Sequence, residues 1–319
     1  MYEIFDVTGF SQILAVTRKP EELSIEGLEK IGEGTIGGVY RVDDETVVKV
    51  ANPIYDFDYV EAERAKGRAA LVAGIPTAIP FKTVKVGDSY GALYELVSAE
   101  SVSPAIVEDN AKAAPVGIKM GQLLRRLTTT QADTDIAQDT KRRYIDLAPN
   151  LAHLFGSDEL AAAVGSAYEA LPDATTYLHG DFHTGNMMFQ GDELVLIDIG
   201  ELGYGHPLLD LGSSCLMQKL TYVSSPTGID QTGYPKAAAD ALWDAFIGEC
   251  FDHPSPERAE FLDKLITAYG LCRMYLIDVM FYLRGLDRDD KAMKTALIPR
   301  VLPLIQAVPK LLSAWPASL

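Results

Sequence analysis

The sequence predicts an α+β fold, with a small β-rich lobe at residues 1–97 and a larger, mainly helical lobe at residues 98–319. Three observations support this division. Short runs of β-branched and aromatic residues alternate with Gly and Asp turns as far as Val97. Helical periodicity dominates beyond Ser98. One apolar, strand-like segment at residues 177–199 interrupts the helices. The 319 residues are enough to give both lobes a hydrophobic core.

The first lobe is expected to contain short strands and one helix. The helix is placed at residues 58–73, because an Asp-rich turn precedes it and the sequence Gly-Ile-Pro at residues 74–76 ends it. The expected strands lie at residues 12–16, 38–42, 46–50, 82–86 and 92–97.

The second lobe is expected to be a set of helices around one β-hairpin. The hairpin pairs residues 187–190 with residues 193–197, with Gly191 and Asp192 at its turn. The expected helices lie at residues 115–129, 139–155, 158–170, 237–250, 256–286 and 291–313.

The balance of charge limits the classes of partner. The chain has 28 Lys and Arg residues against 45 Asp and Glu residues, a formal net charge of −17. Such a surface repels phosphate backbones and anionic lipid, which argues against nucleic acid and membrane partners. It is compatible with a cationic small substrate, although solubility alone explains an acidic surface at least as well.

The sequence favours a cytoplasmic protein. Cys215, Cys250 and Cys272 are widely separated and form no CxxC pair, which is typical of reduced, packed thiols. The N-terminus has neither the basic nor the apolar segment of a signal peptide. The most apolar later stretch, residues 274–283, is too short to span a membrane and carries Asp278.

Residues 32–39, GEGTIGGV, form a glycine pattern that is followed by strand, turn and strand. A dinucleotide-binding fold would place a helix after the loop, so the pattern favours a glycine-rich hairpin. Its backbone N–H groups could close over nucleotide phosphates, which Lys49 on the next strand would neutralise. An ordinary hairpin beside a solvated lysine fits this segment alone about equally well. The helix at residues 58–73 offers two anionic partners for Lys49, Glu61 and Glu63. The distance of Glu63 from the Gly-Ile-Pro stop favours Glu63, and Glu61 stays open.

Residues 179–186, HGDFHTGN, precede the predicted hairpin, and Asp198 follows it. Pairing outward from the turn brings Asn186 beside Asp198, and amide and carboxylate oxygens are ligands for a Mg²⁺ ion that is shared with substrate phosphates. Asp181, in the preceding loop, could orient a hydroxyl nucleophile and accept its proton. His179 is expected to hydrogen-bond the loop backbone. The pattern therefore predicts Mg²⁺-dependent phosphoryl transfer.

A transition-metal hydrolase is the competing interpretation, with ligands drawn from His179, Asp181, His183 and His206. It requires three of the five histidines to converge, and it leaves the glycine pattern without a role. The Mg²⁺ interpretation is therefore preferred.

With these motifs in place, the chain resembles the aminoglycoside phosphotransferase and choline kinase group of the protein-kinase-like fold. The resemblance is strongest over residues 179–211, where H-x-D, an Asn five residues after that Asp, an I-D pair and then Asp210-Leu211 all fit. It is weaker over residues 32–97. It implies a protein with a bilobal fold that uses ATP and Mg²⁺.

The resemblance also implies a role for each site residue. Asp181 would be the catalytic residue, with Asn186 and Asp198 as Mg²⁺ ligands. Lys49 and Glu63 would hold the α- and β-phosphates. The remaining positions are Gly32, Gly34 and Gly37 in the lid over the nucleotide, Glu95 and Val97 in the hinge that meets adenine, and His179 and Asp210 in support of the catalytic loop.

The segment after Asp198 narrows the acceptor. Asp198-Ile199-Gly200 resembles the D-F-G of protein kinases, but no A-P-E follows, so there is little room to dock a peptide. We therefore predict an ATP- and Mg²⁺-dependent O-phosphotransferase that acts on a hydroxyl of a small molecule. The acceptor could be an aminoglycoside, an amino alcohol or a sugar. Glu201 and Tyr204, with either Asp278 or residues 287–290, are the expected neighbours of a cationic acceptor, although a solvated acidic face explains these carboxylates at least as well. The alternatives are a protein kinase and a nucleotide-binding pseudokinase module.

Overall fold

The structure is a computed structural model that describes residues 20–34, 36–97, 100–224, 232–286 and 289–314. The chain divides into two compact units. The first holds the described residues up to Arg64 together with Ile79–Leu96, and the second holds Ala65–Ala78 and the described residues from Val97 onward. The N-terminal region is built on a β-sheet and the C-terminal region is mostly helical, which confirms the predicted α+β class.

The first unit contains a five-stranded antiparallel sheet with the strand order β1-β2-β3-β5-β4. Side chains of β3, β4 and β5 supply the core of this sheet, among them Val48, Val84 and Leu93. The strands are β1 (Lys30–Glu33), β2 (Gly37–Arg41), β3 (Thr46–Ala51), β4 (Pro80–Val86) and β5 (Ser89–Glu95). The strand predicted at residues 12–16 lies outside the described residues.

The division between the units falls within the helix Phe57–Val72. Asp56 Oδ1 accepts the N–H of Tyr59 at 2.9 Å, which satisfies one of the unpaired donors at the helix start. Gly74, with φ of +82°, ends the helix, as only glycine readily adopts that conformation. The predicted helix at residues 58–73 is thus confirmed to within one residue at each end.

The second unit is built around long helices whose apolar faces form one core. The hairpin pairs Met187–Gln190 with Glu193–Leu196, as predicted. A small sheet joins Gln138–Asp139, Gly203–Tyr204 and Tyr177–Leu178. The α-helices are Val102–Glu108, Ala113–Thr129, Thr140–Leu147, Asn150–Phe155, Asp158–Glu169, Leu208–Cys215, Thr221–Ser224, Lys236–Cys250, Pro256–Leu283, Lys291–Gln306 and Val308–Leu312.

This unit differs from the prediction in several places, and two of the differences have a clear physical cause. The single helix expected at residues 139–155 is broken into two, because Pro149 has no N–H to continue the hydrogen-bond ladder. The helix Leu208–Cys215 was not predicted, since its glycine and serines have low helix propensity. All eight of its residues are buried, so packing rather than propensity stabilises it.

Two helices among the described residues have the length and composition of a membrane span. The apolar window of Pro256–Leu283 is 72% buried inside the fold, and that of the segment Lys291–Leu312 is 22% buried. The core helix of a soluble protein passes the same test, so these two helices are weak evidence for a membrane.

Candidate active site

The β-hairpin brings Asn186 next to the residues that follow its second strand. The register pairs Met187 with Leu196, and the N–H of Ile197 donates to the carbonyl oxygen of Asn186 at 3.0 Å. Asp198, the next residue, is exposed and has φ of 55° and ψ of 58°. A non-glycine residue in this left-handed conformation is strained, and such strain is concentrated at functional sites.

The side chain of Asn186 is oriented by Asp181. Its Nδ2 donates to the carbonyl oxygen of Asp181 at 3.0 Å and to Oδ2 of the same residue at 3.1 Å. Because these bonds turn the amide nitrogen towards Asp181, the amide oxygen, Oδ1, is the atom that could bind a ligand. An amide oxygen and the nearby carboxylate of Asp198 are hard donors of the kind that Mg²⁺ prefers. The donor set therefore fits this metal.

The carboxylate of Asp181 lies among hydrogen-bond donors and positive charge. His183 Nδ1 accepts the N–H of Gly185, so its Nε2 donates to Asp181 Oδ2 at 3.2 Å. Ser213 Oγ donates to the other oxygen at 3.2 Å. Burial works to raise the pKa of Asp181, but the interactions of its carboxylate with His183, Arg273 and His179 outweigh burial and hold this pKa well below its usual range. The carboxylate is therefore ionised at neutral pH.

Arg273 is a buried part of this site that the sequence did not reveal. It lies in the middle of the helix Pro256–Leu283, and 4% of it is exposed. Its Nη2 donates to the carbonyl oxygen of Gly180 at 3.0 Å and lies 3.8 Å from Asp181 Oδ1, while Nη1 donates to the hydroxyl of Tyr144 at 2.6 Å. A single arginine within an otherwise apolar helical stretch is the signal that could have indicated it.

Asp210 supports the loop at residues 179–186, which we call the HGD loop. Asp210 is fully buried, and its two carboxylate oxygens accept the N–H groups of His179 and Gly180, each at 2.8 Å. Burial raises the pKa of Asp210, and this effect outweighs the interactions with His179 and Gly180, which work to lower it. Gly180 has φ of +82°, and a Cβ there would lie 2.3 Å from the carbonyl oxygen of Glu201, so only glycine fits.

A buried polar network holds the centre of the HGD loop, and sequence reasoning missed it. Thr184 Oγ1 is within 2.9 Å of Ser103 Oγ, 3.0 Å of the Tyr234 hydroxyl and 3.1 Å of Gln218 Nε2. Gln218 lies in the π-helical turn Leu216–Leu220, a rare conformation that is common near functional sites.

The histidines of the competing metallohydrolase interpretation have other partners. His179 Nδ1 accepts the N–H of Asp181 at 3.2 Å, and its Nε2 donates to the carbonyl oxygen of Ile197 at 3.0 Å. His206 Nδ1 accepts the N–H of Leu208 at 3.3 Å. Within the described residues, no three His, Cys, Asp or Glu side chains form a group that could hold a metal ion.

The first unit contains the lysine and carboxylate pair. Lys49 Nζ on β3 donates to Glu63 Oε1 at 2.7 Å, and both side chains are largely buried. Glu61 instead accepts from Arg64 Nε at 2.8 Å and from Thr83 Oγ1 at 2.6 Å. The two candidates for the partner of Lys49 are thus separated by geometry, and Glu63 is the one that pairs.

The glycine pattern forms the hairpin of β1 and β2, whose tip includes Thr35, which lies outside the described residues. A Cβ on Gly37 would lie 1.8 Å from the carbonyl oxygen of Val50, so the packing of β2 on β3 requires glycine there. At Gly32 and Gly34 the nearest atoms would be 3.5 and 4.0 Å away. Packing therefore leaves room for a side chain at these two positions.

The two predicted hinge residues lie where β5 ends. The N–H of Glu95 donates to the carbonyl oxygen of Ile79 at 2.9 Å, and that of Leu96 to Glu45 at 2.7 Å. Val97, the second residue after β5, is buried.

The carboxylates expected near a cationic acceptor are paired with basic side chains. Asp278 is buried and accepts from Lys294 Nζ at 2.7 Å. Glu201 forms ion pairs with Arg143 and Arg284. Burial works to raise the pKa of Glu201, but these arginines and Arg273 lower it overall. Glu201 and Asp278 therefore already have basic partners within the fold, and Asp287 and Arg288 lie outside the described residues.

Comparison with known proteins identifies the fold and the family of the chain. None of the curated proteins matches the chain. Among solved structures, an amicoumacin kinase in complex with AMP-PNP, Ca²⁺ and its ligand is similar with a TM-score of 0.57 and 14% identity over 96% of this chain and 94% of that one. A choline/ethanolamine kinase family protein from Mesorhizobium loti has a TM-score of 0.55 and 16% identity over 92% and 95% of the two chains.

A ternary complex of streptomycin, ATP and APH(2")-IIa is similar with a TM-score of 0.53 and 16% identity over 97% of this chain and 99% of that one. At such identities the likeness shows the fold, which is the kinase-like fold that the sequence predicted. A family model described as the phosphotransferase enzyme family matches residues 27–271. The match extends over most of the chain, and the protein therefore belongs to the phosphotransferase enzyme family, the group that its HGD loop and hairpin resemble.

Proposed function

We propose that this chain is an ATP- and Mg²⁺-dependent O-phosphotransferase that transfers the γ-phosphoryl group of ATP to a hydroxyl of a small molecule. The observation that carries the proposal is the double hydrogen bond from Asn186 Nδ2 to the carbonyl and carboxylate oxygens of Asp181. It holds the carboxylate that would meet the acceptor and the amide that would meet the metal in one rigid loop.

Asp181 is assigned the orientation of the acceptor hydroxyl. The hydroxyl oxygen would form a bond to the γ-phosphorus while the bond from that phosphorus to the β,γ-bridging oxygen breaks, ADP leaves, and the hydroxyl proton passes to an Asp181 oxygen. Because the pKa of Asp181 is lowered, its carboxylate is a weak base. We therefore assign most of its effect to orientation, with proton transfer late in the reaction.

Asn186 Oδ1 and the Asp198 carboxylate would hold Mg²⁺, which neutralises phosphate charge when it is bound. Lys49, fixed by Glu63, is assigned to the α- and β-phosphates. Gly32 and Gly34 have space for a side chain, so a backbone that must approach phosphates accounts for glycine at these positions. Structural neighbours that contain ATP or AMP-PNP support ATP as the donor. We assign its adenine to the hinge residues Glu95 and Val97.

A small acceptor is supported by the short path from Asp198 to the next helix. The turn Ile199–Glu201 and the strand Gly203–Tyr204 occupy it before Leu208–Cys215 begins. The neighbours named for streptomycin and choline are kinases of small molecules, so an aminoglycoside or an amino alcohol belongs among the acceptors to be tested. The cytoplasm is the proposed compartment, in keeping with the free, buried thiols of Cys215, Cys250 and Cys272.

The function is tested by separating nucleotide binding from turnover. ATP with Mg²⁺ should raise the melting temperature, and EDTA should remove most of that increase. Asp181→Asn should keep the increase while ADP release with an acceptor falls by roughly a thousandfold. Asp192→Asn is the matched control, because Asp192 is exposed at the hairpin turn. This variant should keep both the increase in melting temperature and the rate of ADP release. A chain whose melting temperature does not respond to ATP would sink the proposal, and equal loss of binding and turnover in Asp181→Asn would refute the role of Asp181.

A further inference from the structure

Two arginines and a glutamate form an ion-pair cluster next to the HGD loop. Arg143 lies on the helix Thr140–Leu147, and Arg284 follows the helix Pro256–Leu283. Arg143 Nη1 donates to Glu201 Oε2, and its Nη2 lies 3.4 Å from Oε1. Arg284 Nη2 also lies 3.4 Å from Oε1. We call Arg143 and Arg284 the arginine pair.

The arginine pair lies close to the carboxylate that would meet the acceptor. Glu201 packs closely against Gly180, the residue before Asp181, since a Cβ on Gly180 would lie 2.3 Å from the carbonyl oxygen of Glu201. Arg143 Nη2 lies 3.3 Å from Met280 Sδ, and Arg273 Nη1 approaches the same sulfur at 3.9 Å. Arg273 in turn lies 3.8 Å from Asp181 Oδ1. Arg143 is thus connected to Asp181 through the side chains of Met280 and Arg273.

The ion-pair cluster itself has an excess of positive charge. Two guanidinium groups, those of the arginine pair, share the single carboxylate of Glu201, whereas Arg273 lies next to the carboxylates of Asp181 and Asp210. The full sequence, by contrast, has 45 acidic against 28 Lys and Arg residues. A polycationic acceptor would meet positive charge here, and Glu201 could bind it only by releasing two guanidinium groups.

We propose, on the basis of the phosphotransferase function above, that the acceptor carries an anionic group, a carboxylate or a phosphate, in addition to its hydroxyl, and that the arginine pair binds this group. Arginine has five N–H donors in a planar fork that matches the oxygens of either anion. Glu201 accepts two donors of Arg143 and one of Arg284. The side chains of Arg143 and Arg284 are 21% and 25% exposed, so a ligand can reach them.

The preference for an anionic acceptor is tested directly by compounds that share a carbon skeleton and differ in charge. Gluconate, sorbitol and glucosamine form one series, and glycerate, glycerol and 2-aminopropane-1,3-diol form a second. Glycerol 3-phosphate distinguishes phosphate from carboxylate. ADP release by the full chain with Mg²⁺ and ATP gives kcat/KM for each compound, and calorimetry in the presence of ADP and Mg²⁺ gives its Kd. We expect the anionic member of a series to exceed the neutral one by at least tenfold in both measurements.

Variants of the arginine pair identify the residues responsible. Arg143→Gln and Arg284→Gln should each lower kcat/KM for the anionic acceptor by roughly tenfold to a hundredfold, mainly through KM, with little effect on the neutral acceptor. Arg142→Gln is the matched control, because Arg142 is the adjacent residue, is 70% exposed and pairs with Asp146. Arg142→Gln should leave kcat/KM unchanged for both the anionic and the neutral acceptor. The melting temperature shows that each variant is folded.

The inference is wrong if the cationic or neutral member of each series binds as tightly as the anionic one. It is also wrong if Arg142→Gln weakens binding of the anionic acceptor as much as Arg143→Gln does. Either result leaves the phosphotransferase function intact when another acceptor supports ADP release. Failure of the function itself is recognised separately, by a chain that neither binds ATP nor releases ADP with any acceptor.

Discussion

Arg273 donates through Nη2 to the backbone carbonyl oxygen of Gly180 at 3.0 Å. The helix Pro256–Leu283 is thereby fixed to the residue directly before Asp181. The N–H of the same glycine donates to Asp210 Oδ1 at 2.8 Å. Both polar groups of the Gly180 backbone are thus held by charged side chains in the interior. The position of the Asp181 carboxylate is therefore set by buried groups and not by the exposed part of the loop.

Replacement of Arg273 by methionine should impair turnover more than nucleotide binding. The change leaves the carbonyl of Gly180 and the hydroxyl of Tyr144 without this donor, at a cost of roughly 1–3 kcal/mol for each buried group. We expect a lower melting temperature and a fall in kcat of about tenfold or more, with the Kd for ATP unchanged. Lys264→Met, on the same helix but exposed, is the control. An unchanged kcat in a folded Arg273→Met protein would contradict the positioning role.

The pairing of Lys49 predicts different effects for two nearby glutamates. Glu63→Gln removes the charge that fixes Lys49, and we expect the Kd for ATP to rise by about tenfold, since a largely buried charge-assisted bond is lost. Glu61→Gln is the matched control on the same helix, because Glu61 binds Arg64 and Thr83. Titration calorimetry with ATP and Mg²⁺ measures both. Equal weakening by the two variants would show that the contact to Lys49 does not matter.

The sequence predicted features whose cause is local. The hairpin with Gly191 and Asp192 at its turn followed from turn chemistry, and its register placed Asn186 beside Asp198. The choice between Glu61 and Glu63 was harder, because the residues are only two positions apart and their directions depend on the rotation of the helix. Geometry decided it in favour of Glu63.

Contacts between distant parts of the chain could not be predicted in this way. Arg273 is 93 positions from Gly180, and no local pattern connects them. The ion pairs of Glu201 depend on two helices whose packing the sequence does not define. This is why the arginine pair was missed.

The close approach of β2 and β3 predicts a specific loss of stability. A Cβ on Gly37 would lie 1.8 Å from the carbonyl oxygen of Val50, so Gly37→Ala must push the strands apart. We expect it to lower the free energy of unfolding by about 1–3 kcal/mol, a typical cost of overpacking. Gly34→Ala, where the nearest atom is 4.0 Å away, should change it little. Urea denaturation compares the two, and equal stability would show that the hairpin can adjust.

The buried histidine His206 predicts how stability depends on pH. Burial, aided by the charge of Lys141, lowers the pKa of His206 from 6.5 to about 4. Between these values the unfolded chain binds the proton and the folded protein does not. The free energy of unfolding should therefore fall as the pH is lowered from 6.5 towards 4, by up to about 3 kcal/mol from this residue.

A variant that cannot titrate isolates this contribution. His206→Asn retains an acceptor for the N–H of Leu208, which His206 Nδ1 accepts at 3.3 Å, and it binds no proton in this range. Its stability should decline less than that of the wild type between pH 7 and pH 4.5, as measured by urea denaturation at each pH. His153→Asn, which replaces an exposed histidine, should follow the wild-type curve. Parallel curves for His206→Asn and the wild type would assign the acid sensitivity to other groups, because a histidine with the same pKa in the folded and unfolded states could not produce the difference.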